Sequence, residues 1–486
     1  MPVDVPASDP SDSAARHQRW HHDKRLLLMV LLGFLVGLEF LENGMFVFAA
    51  SYIVGGVHAG PRAFAQVQAA YAVGTMVMIV MQQSLSRHFG YRRYLTASLA
   101  VVVAGAVAAA AAQGVTGLVL ARLVQGFGGG ALFTSSRILV PMLFGARERG
   151  RAIRFFMLIL FGMSACAPLL AATLTEWLGW RSILVSAVPL ALLAMAGCWW
   201  LLPDGAGRGG TPVRWAAGPL LVVAAALTLL QLGLSEANLD LAEHPWRLAL
   251  TALAGLVLLL VFLRHQWHHD EPLMRLSELR HPVYLTGLVL YFLHYLLSNA
   301  SNYLFPMFAE HGLGLSLATT GWLGSFSALV GLACAWGYIR LASRWPNKKP
   351  LMAAGALAMV VSASLFAWLP ADASPAALLP GLVAKGVFGV LLVLPVAGLT
   401  FRDLGEDAFA HGYQSKNLMR QLAGSFAAAV AAIALQQRQL ALGGHGQHGL
   451  SVDPQTLLAA CQDIYRVLAL AAVLVTAVVL LQRRLK

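Results

Sequence analysis

Charge is scarce in this sequence. Asp, Glu, Lys and Arg make up 12% of its 486 residues and hydrophobic residues 58%, whereas a soluble globular domain carries roughly 25% charged residues. That scarcity excludes a soluble globular chain and implies a polytopic membrane protein. Acids are scarcer than bases, 22 against 34, for a net charge of +12. The bases fall in short clusters between apolar runs, the pattern of cytoplasmic loops, so no nucleic-acid partner is expected. Cysteine is rare too: Cys166, Cys198, Cys334 and Cys461 lie in or at the start of apolar segments. They have neither metal-ligand spacing nor a disulfide framework, which leaves packing as their role. There is no nucleophile elbow, phosphate loop or HExxH, so neither an enzyme nor a cofactor is expected. The first 25 residues contain no short apolar stretch before a small-residue cleavage site, so no removable signal peptide is expected.

Long hydrophobic runs, by contrast, are abundant. A spanning helix needs roughly 20 apolar residues, and fourteen runs qualify: 26–53, 64–86, 94–113, 115–141, 152–176, 181–202, 216–234, 246–264, 283–309, 318–342, 350–369, 376–401, 410–437 and 457–482. The positive-inside rule tests the count. With the N-terminus inside, most of the 34 Lys and Arg fall in inner segments, and the outer loops hold only Arg62, Arg181, Arg247 and Arg438. One miscounted span would scramble that alternation, so both termini are placed on the cytoplasmic side.

A weak repeat accompanies the spans. LSRHFGYRR from Leu85 aligns without gaps with LASRWPNKK from Leu341, an offset of 256 residues (341 minus 85). Two six-helix halves with an inserted helix pair would give it, and parallel halves are a known transporter plan. The expected division is an N-terminal tail (1–25), a first bundle (26–202), an inserted two-helix region (203–282), a second bundle (283–482) and a short tail (483–486). The inserted pair carries almost no internal polarity and is expected at the periphery, away from any substrate path.

Polar residues inside the spans mark candidate sites, since charge at membrane depth is rare unless it pairs, faces a cavity or does work. In the first span, spacings of three and four put Glu39, Glu42 and Asn43 on one helix face. They read either as helix glue or as a proton-titrating transporter site. The fourth span carries Arg122, then Gln125 and the glycines Gly126, Gly128, Gly129 and Gly130, which admit close backbone approach. Arg122 needs a counter-charge, with Glu42 and Glu39 as candidates; a static bridge is the alternative to a proton switch. The ninth span holds His294, Asn299, Asn302 and Tyr303. His294 reads either as a neutral ring satisfied by a neighbouring helix or as a substrate or proton-relay contact. Lys385 and Arg420 are further candidates, whereas Lys416 and Arg466 are expected to snorkel to an interface. Histidine clusters in RHQRWHHD (16–23) and RHQWHHDE (264–271) lack a closed ligand set, so no metal is expected.

These residues resemble the fourteen-helix drug:proton antiporters of the major facilitator superfamily, loosely over most of the chain and sharply in four places. Leu41-Glu42 falls where the family has Leu-Asp. Arg122-Leu-Val-Gln-Gly126 matches its Arg-x-x-Gln-Gly pattern. The antiporter motif GP-x-x-GG appears as Ala167-Pro168-Leu-Leu-Ala171-Ala172, and Trp180-Arg181 through Val188-Pro189 matches the segment after it. Asn417-Leu-Met-Arg420-Gln421-Leu-Ala-Gly424-Ser425 matches a signature of the fourteen-span branch. The departures are Glu for Asp with a second acid at Glu39, Arg87 where Asp is frequent, and three alanines for glycines, which are expected to loosen the packing at that motif.

The resemblance implies an all-α polytopic fold of two six-helix bundles plus two inserted helices, in a bacterial cytoplasmic (inner) membrane. It implies a proton-coupled exporter of drugs or other small amphipathic molecules, working by alternating access. Glu42, Glu39 and Arg122 would couple protons, with Glu39 binding cationic substrate or sharing the proton. Asn43, Gln125, His294, Asn299, Asn302, Lys385 and Arg420 would meet substrate. In a Gram-negative host a periplasmic adaptor and outer-membrane channel are implied partners, with the segment 439–456 as a docking candidate. A transporter of organic anions using Arg122, Lys385 and Arg420 is the main rival, and a non-transport scaffold or receptor the remote one.

Overall fold

The computed structural model describes residues 10–209, 217–269, 272–276, 280–443 and 453–485. Among them there is no strand. Helices α1 (Pro10–Phe48), α3 (Pro61–Phe89), α4 (Tyr91–Ala111), α5 (Val115–Leu143), α6 (Ala146–Leu178) and α7 (Arg181–Leu201) form a first group, with α2 (Ala50–Gly56) a short cap after α1. Then come α8 (Ala217–Glu243) and α9 (Pro245–His268). The second group is α10 (Pro282–Pro306), α11 (Leu317–Leu341), α12 (Lys349–Ala367), α13 (Leu379–Leu391), α14 (Val393–Thr400), α15 (Glu406–Ala441) and α16 (Pro454–Leu481). Helices α13 and α14 share one crossing, and the described residues hold 14 helices long and apolar enough to span a membrane. Fourteen crossings would return the described chain to the face it starts from, called the termini face below.

Local chemistry sets the helix ends. Proline at the first turn, where its missing N–H costs nothing, opens α3, α9, α10 and α16. Gly90 and Gly179 follow α3 and α6 at φ +78° and +79°, a region costly for any residue with a Cβ. At the termini face Trp199, Trp200, Trp267, Trp336 and Trp345 are exposed, and at the opposite face Trp177, Trp246, Trp322 and Trp368 are. These are two aromatic belts at membrane-interface depth.

Within the first group α1 packs on α6, and α5 lies between α3 and α4. In the second, α12 packs on α13 and α16, and α10 on α15. The groups meet along two seams, α6 on α11 and α3 on α15. Helix α8 covers the second seam by touching both α3 and α15, and α9 stacks outside α8.

Two expectations change. Helix α1 begins at Pro10 rather than near residue 26, because the polar stretch before the apolar run is rich in helix formers such as Ala14, Ala15, Arg16 and Gln18. Helix α8 is not without internal polarity: buried Gln231 accepts a hydrogen bond from Ser425 Oγ on α15 at 2.6 Å. Only α9 is fully peripheral, since α8 is tied to a residue that lines the central cavity. Residues 444–452 of the docking segment, residues 270 and 271, and the side chains of 16–23 fall outside the description.

Candidate functional site

A cavity of about 290 Å³ lies between the two groups. Its walls come from α1, α3, α5, α6, α10, α11, α12, α13, α14 and α15. Toward the termini face it is bounded by an aromatic cluster in which Phe133 of α5 sits 6.1 Å from Tyr413 of α15 and 6.5 Å from Phe156 of α6. Toward the opposite face Phe64 of α3 stacks on Tyr303 of α10 at 5.5 Å. Beyond that stack the Tyr52 hydroxyl on α2 donates to Glu310. Burial and the Glu310 carboxylate both push the Tyr52 hydroxyl above its ordinary pKa, so it stays a donor. Both ends are therefore bridged across the groups.

The two acids of α1 have different partners. Glu42, 3% exposed, receives Arg122 Nη1 at 2.6 Å, an ion pair inside the first group. Arg122 is fully buried, also donates to Gln125 Oε1 at 2.7 Å, and lies between the ring faces of Phe46 and Tyr71 at 4.0 and 4.2 Å. Cation–π contacts of this kind hold a guanidinium in place without neutralising it. Glu39, 2% exposed, belongs to a different bond: Arg420 of α15 donates to it across the groups, and Gln421 Nε2 adds a second bond at 3.1 Å. Glu42, Arg122 and Gln125 lie behind the cavity wall, while Arg420 and Gln421 form part of it.

Helix α15 carries a set of fasteners. Gln414 Nε2 donates to the carbonyls of Ile79 and Val80 on α3 at 2.6 and 2.9 Å, and Asn417 Nδ2 to Thr134 Oγ1 on α5 at 2.7 Å. Asn417 Oδ1 accepts from Arg420 Nε at 2.8 Å. Each polar side chain thus reaches a different helix, satisfying groups that lipid could not.

The alanine version of the antiporter motif packs closely after all. Ala167, Ala171 and Ala172 are buried, and the missing glycines are found on the facing helices. A Cβ on Gly44 of α1 would meet Ala167 Cβ at 2.9 Å, and one on Gly321 of α11 would meet Ala172 Cβ at 2.6 Å. A Cβ on Gly324 would meet Pro168 Cβ at 2.8 Å. The expected loosening does not occur, because contact distance depends on both surfaces. Next to Pro168, the Leu169 N–H donates across the seam to Ser325 Oγ at 3.0 Å.

The structure brings Asn43, His294, Asn299, Asn302, Lys385 and Arg420 to the cavity, along with Ala167 and Pro168. Asn43 accepts from Gln68 Nε2 at 3.2 Å, and Asn299 donates to its own helix at Tyr295 O. His294 is buried between Phe388 (4.8 Å) and Tyr295 (5.2 Å), with Nδ1 lacking a hydrogen-bond partner among the described residues. The expectation of a ring satisfied by a neighbouring helix is therefore not met at that nitrogen. Gln125 does not reach the cavity. The anion reading loses Arg122 and Arg420 as free charges, since each is matched by a glutamate.

Lys416 corrects the sequence reading outright. Expected to snorkel, it is 3% exposed and lines the cavity, its Nζ 4.6 Å from the rings of Phe133 and Tyr291 and 5.0 Å from Tyr413. Its spacing of four from Arg420, which places both on one helix face, is the signal that finds it. Arg466, by contrast, is half-exposed and paired with Asp463.

The profile described as Major Facilitator Superfamily matches residues 32–428. The chain is 27% identical over 390 residues to the drug efflux pump JefA of Mycobacterium tuberculosis, covering 76% of this chain and 73% of that protein. It is 23% identical over 435 residues to the putative multidrug resistance protein MdtD of Salmonella heidelberg, covering 88% of each. A crystal structure of a D-xylose-proton symporter superposes with a TM-score of 0.62 at 16% identity, over 93% of this chain and 96% of that one, which is a likeness of fold.

Proposed function

The chain belongs to the Major Facilitator Superfamily and is a non-enzymatic multi-pass membrane transporter; from that premise we propose that it is a proton-coupled exporter of small amphipathic molecules, residing in a bacterial cytoplasmic membrane with both termini inside. Alternating access of two bundles around a midplane site is the working plan. The carrying observation is the Glu42–Arg122 pair, buried beside the cavity but not in it. A buried ion pair gives little net stability against apolar replacements, so its presence at membrane depth favours a working role over helix glue.

The geometry suits a proton switch. When Glu42 takes a proton, Arg122 keeps Gln125 and its two ring faces, so the guanidinium stays placed while the charge balance of the pair changes. Glu39 and Arg420 link α1 to α15, so any rocking of the bundles strains this second pair. In this reading Glu42 couples the proton and Glu39 couples the bundles. Each 100 mV of membrane potential supplies roughly 2.3 kcal/mol per charge moved, enough for a small proton stoichiometry to drive export. The name of JefA, a drug efflux pump, supports the direction of transport. In a Gram-negative host, an adaptor and an outer-membrane channel would extend the path. The test is Glu42→Gln in proteoliposomes with an imposed pH gradient. The variant should assemble normally and lose proton-driven transport; transport at the wild-type rate would refute the assignment.

A further inference from the structure

The basic side chains that line the cavity are Lys385, Lys416, His294 and Arg420; among its described lining residues there is no carboxylate. Arg420 is already matched by Glu39. No described carboxylate forms an ion pair with Lys416 on α15 or Lys385 on α13. Their Nζ atoms rest on aromatic faces instead, Lys416 as given above and Lys385 with Nζ 4.9 Å from Phe305. Ring faces attract a cation but bring no counter-charge. An unmatched charge at membrane depth is expensive, and an occupant that brings the missing negative charge relieves it.

The rest of the wall selects the body of that occupant. Tyr291 and His294 are three residues apart on α10, so they share the face turned to Lys416, and His294 Nδ1 is without a partner among the described residues. Phe133 and Tyr413 close the same side with apolar ring surface. About 290 Å³ is just under the roughly 300–1,000 Å³ of small-molecule sites, room for one or two rings. A cation would find two amines and no free carboxylate, since the acids on α1 near the wall are held by arginines.

We propose that the cavity takes an amphipathic organic anion, a carboxylate on a one- or two-ring aromatic body, with Lys416 as its anchor and Lys385 as a second positive group. The direction of its transport rests on the exporter reading; its binding does not. Lys416 was the base that the sequence pattern had set aside, and the two arginines that sequence favoured for an anion are the ones already neutralised.

The test uses the full chain, purified in detergent and in proteoliposomes, with three matched probes: 2-naphthoate, 2-naphthylmethanol and 2-naphthylmethylammonium. Equilibrium dialysis should show 2-naphthoate binding at least tenfold more tightly than the ammonium probe. Lys416→Met should weaken 2-naphthoate at least tenfold, about 1.4 kcal/mol, while changing the neutral alcohol by less than about twofold. Lys416→Arg should restore most of the loss, which a merely structural role would not predict. Tighter binding of the ammonium probe to the wild-type protein overturns the proposal, even if Lys416→Met does not fold. So does unchanged 2-naphthoate binding in a folded Lys416→Met. Transport separates the two readings. Proton-driven, Glu42-dependent movement of the ammonium probe without 2-naphthoate binding sinks the anion site and leaves the exporter. Intact, Lys416-dependent 2-naphthoate binding with no proton-driven movement of any probe upholds the anion site and sinks the exporter.

Discussion

Neutralising Glu39 should cost less than neutralising Arg420, and neutralising both should cost far less than the sum. Both residues are buried and meet across the two bundles. Removing one partner of a buried pair costs about 3–5 kcal/mol, because the survivor is left uncompensated. In Glu39→Gln the survivor is Arg420, which keeps Asn417 Oδ1 at 2.8 Å and the rings of Phe40 and Phe133 at 4.9 and 4.7 Å. Desolvated cation–π contacts return on the order of 1–2 kcal/mol, so the net loss should be about 2 kcal/mol. In Arg420→Gln the survivor is Glu39, whose remaining donor is the Gln421 amide at 3.1 Å. A loss of about 3 kcal/mol follows, at the lower limit for a broken pair. The double variant leaves no buried charge and should lose about 2 kcal/mol, giving a coupling energy of about 3 kcal/mol. Reversible unfolding in mixed micelles, followed by circular dichroism as sodium dodecyl sulfate is raised, measures all three. Losses that add to within about 0.5 kcal/mol would refute the reasoning, since contacting partners cannot be independent.

Two other perturbations probe the frame around the site. Gly324→Leu should force α11 off Pro168, lower the thermal midpoint by an overpacking cost of about 1–3 kcal/mol and abolish transport. Gly337→Leu on the same helix, where an added Cβ meets nothing within 4 Å, should be silent in both assays. Tyr52→Phe removes the donor to Glu310 and should destabilise the protein by about 1–3 kcal/mol in a thermal melt. The Tyr52 pKa is raised, so its hydrogen bond is complete below the ordinary tyrosine value and is lost only above it. The Tyr52→Phe deficit should therefore be equal at about pH 6 and about pH 9, both below the ordinary value of about 10.

The spans were legible because each apolar run must cross lipid whole, and hydropathy records that necessity directly. The contact between Arg122 and Glu42 was also within reach, since a guanidinium at that depth needs an acid and the first helix offers two. Which acid each arginine takes was not legible from spacing alone: Glu39 and Glu42 lie on one face, yet one turns to α5 and the other to α15. Lys416 was misread for a definite reason. Its apolar run starts near residue 410, but α15 starts at Glu406, so Lys416 lies three turns into a helix packed on α10, too deep to snorkel. The alanines of the antiporter motif were misread for another, because a surface cannot report the shape of the surface it meets. Gly44, Gly321 and Gly324 complete the fit from helices remote in sequence.

That alanine-on-glycine seam between α6 and α11 has a consequence for motion. Alanine, glycine and proline side chains have almost no rotamer freedom to lose, whereas interlocked leucines would have to leave one set of wells and find another at every step. Where Pro168, Ala172, Gly321 and Gly324 meet, the contacting side chains are short, and one hydrogen bond, Leu169 to Ser325, marks the register. Such a seam would act as a plain bearing, close-packed yet needing little side-chain reordering as it slides. The ion pair on the far side of α1 supplies the grip that such a surface lacks.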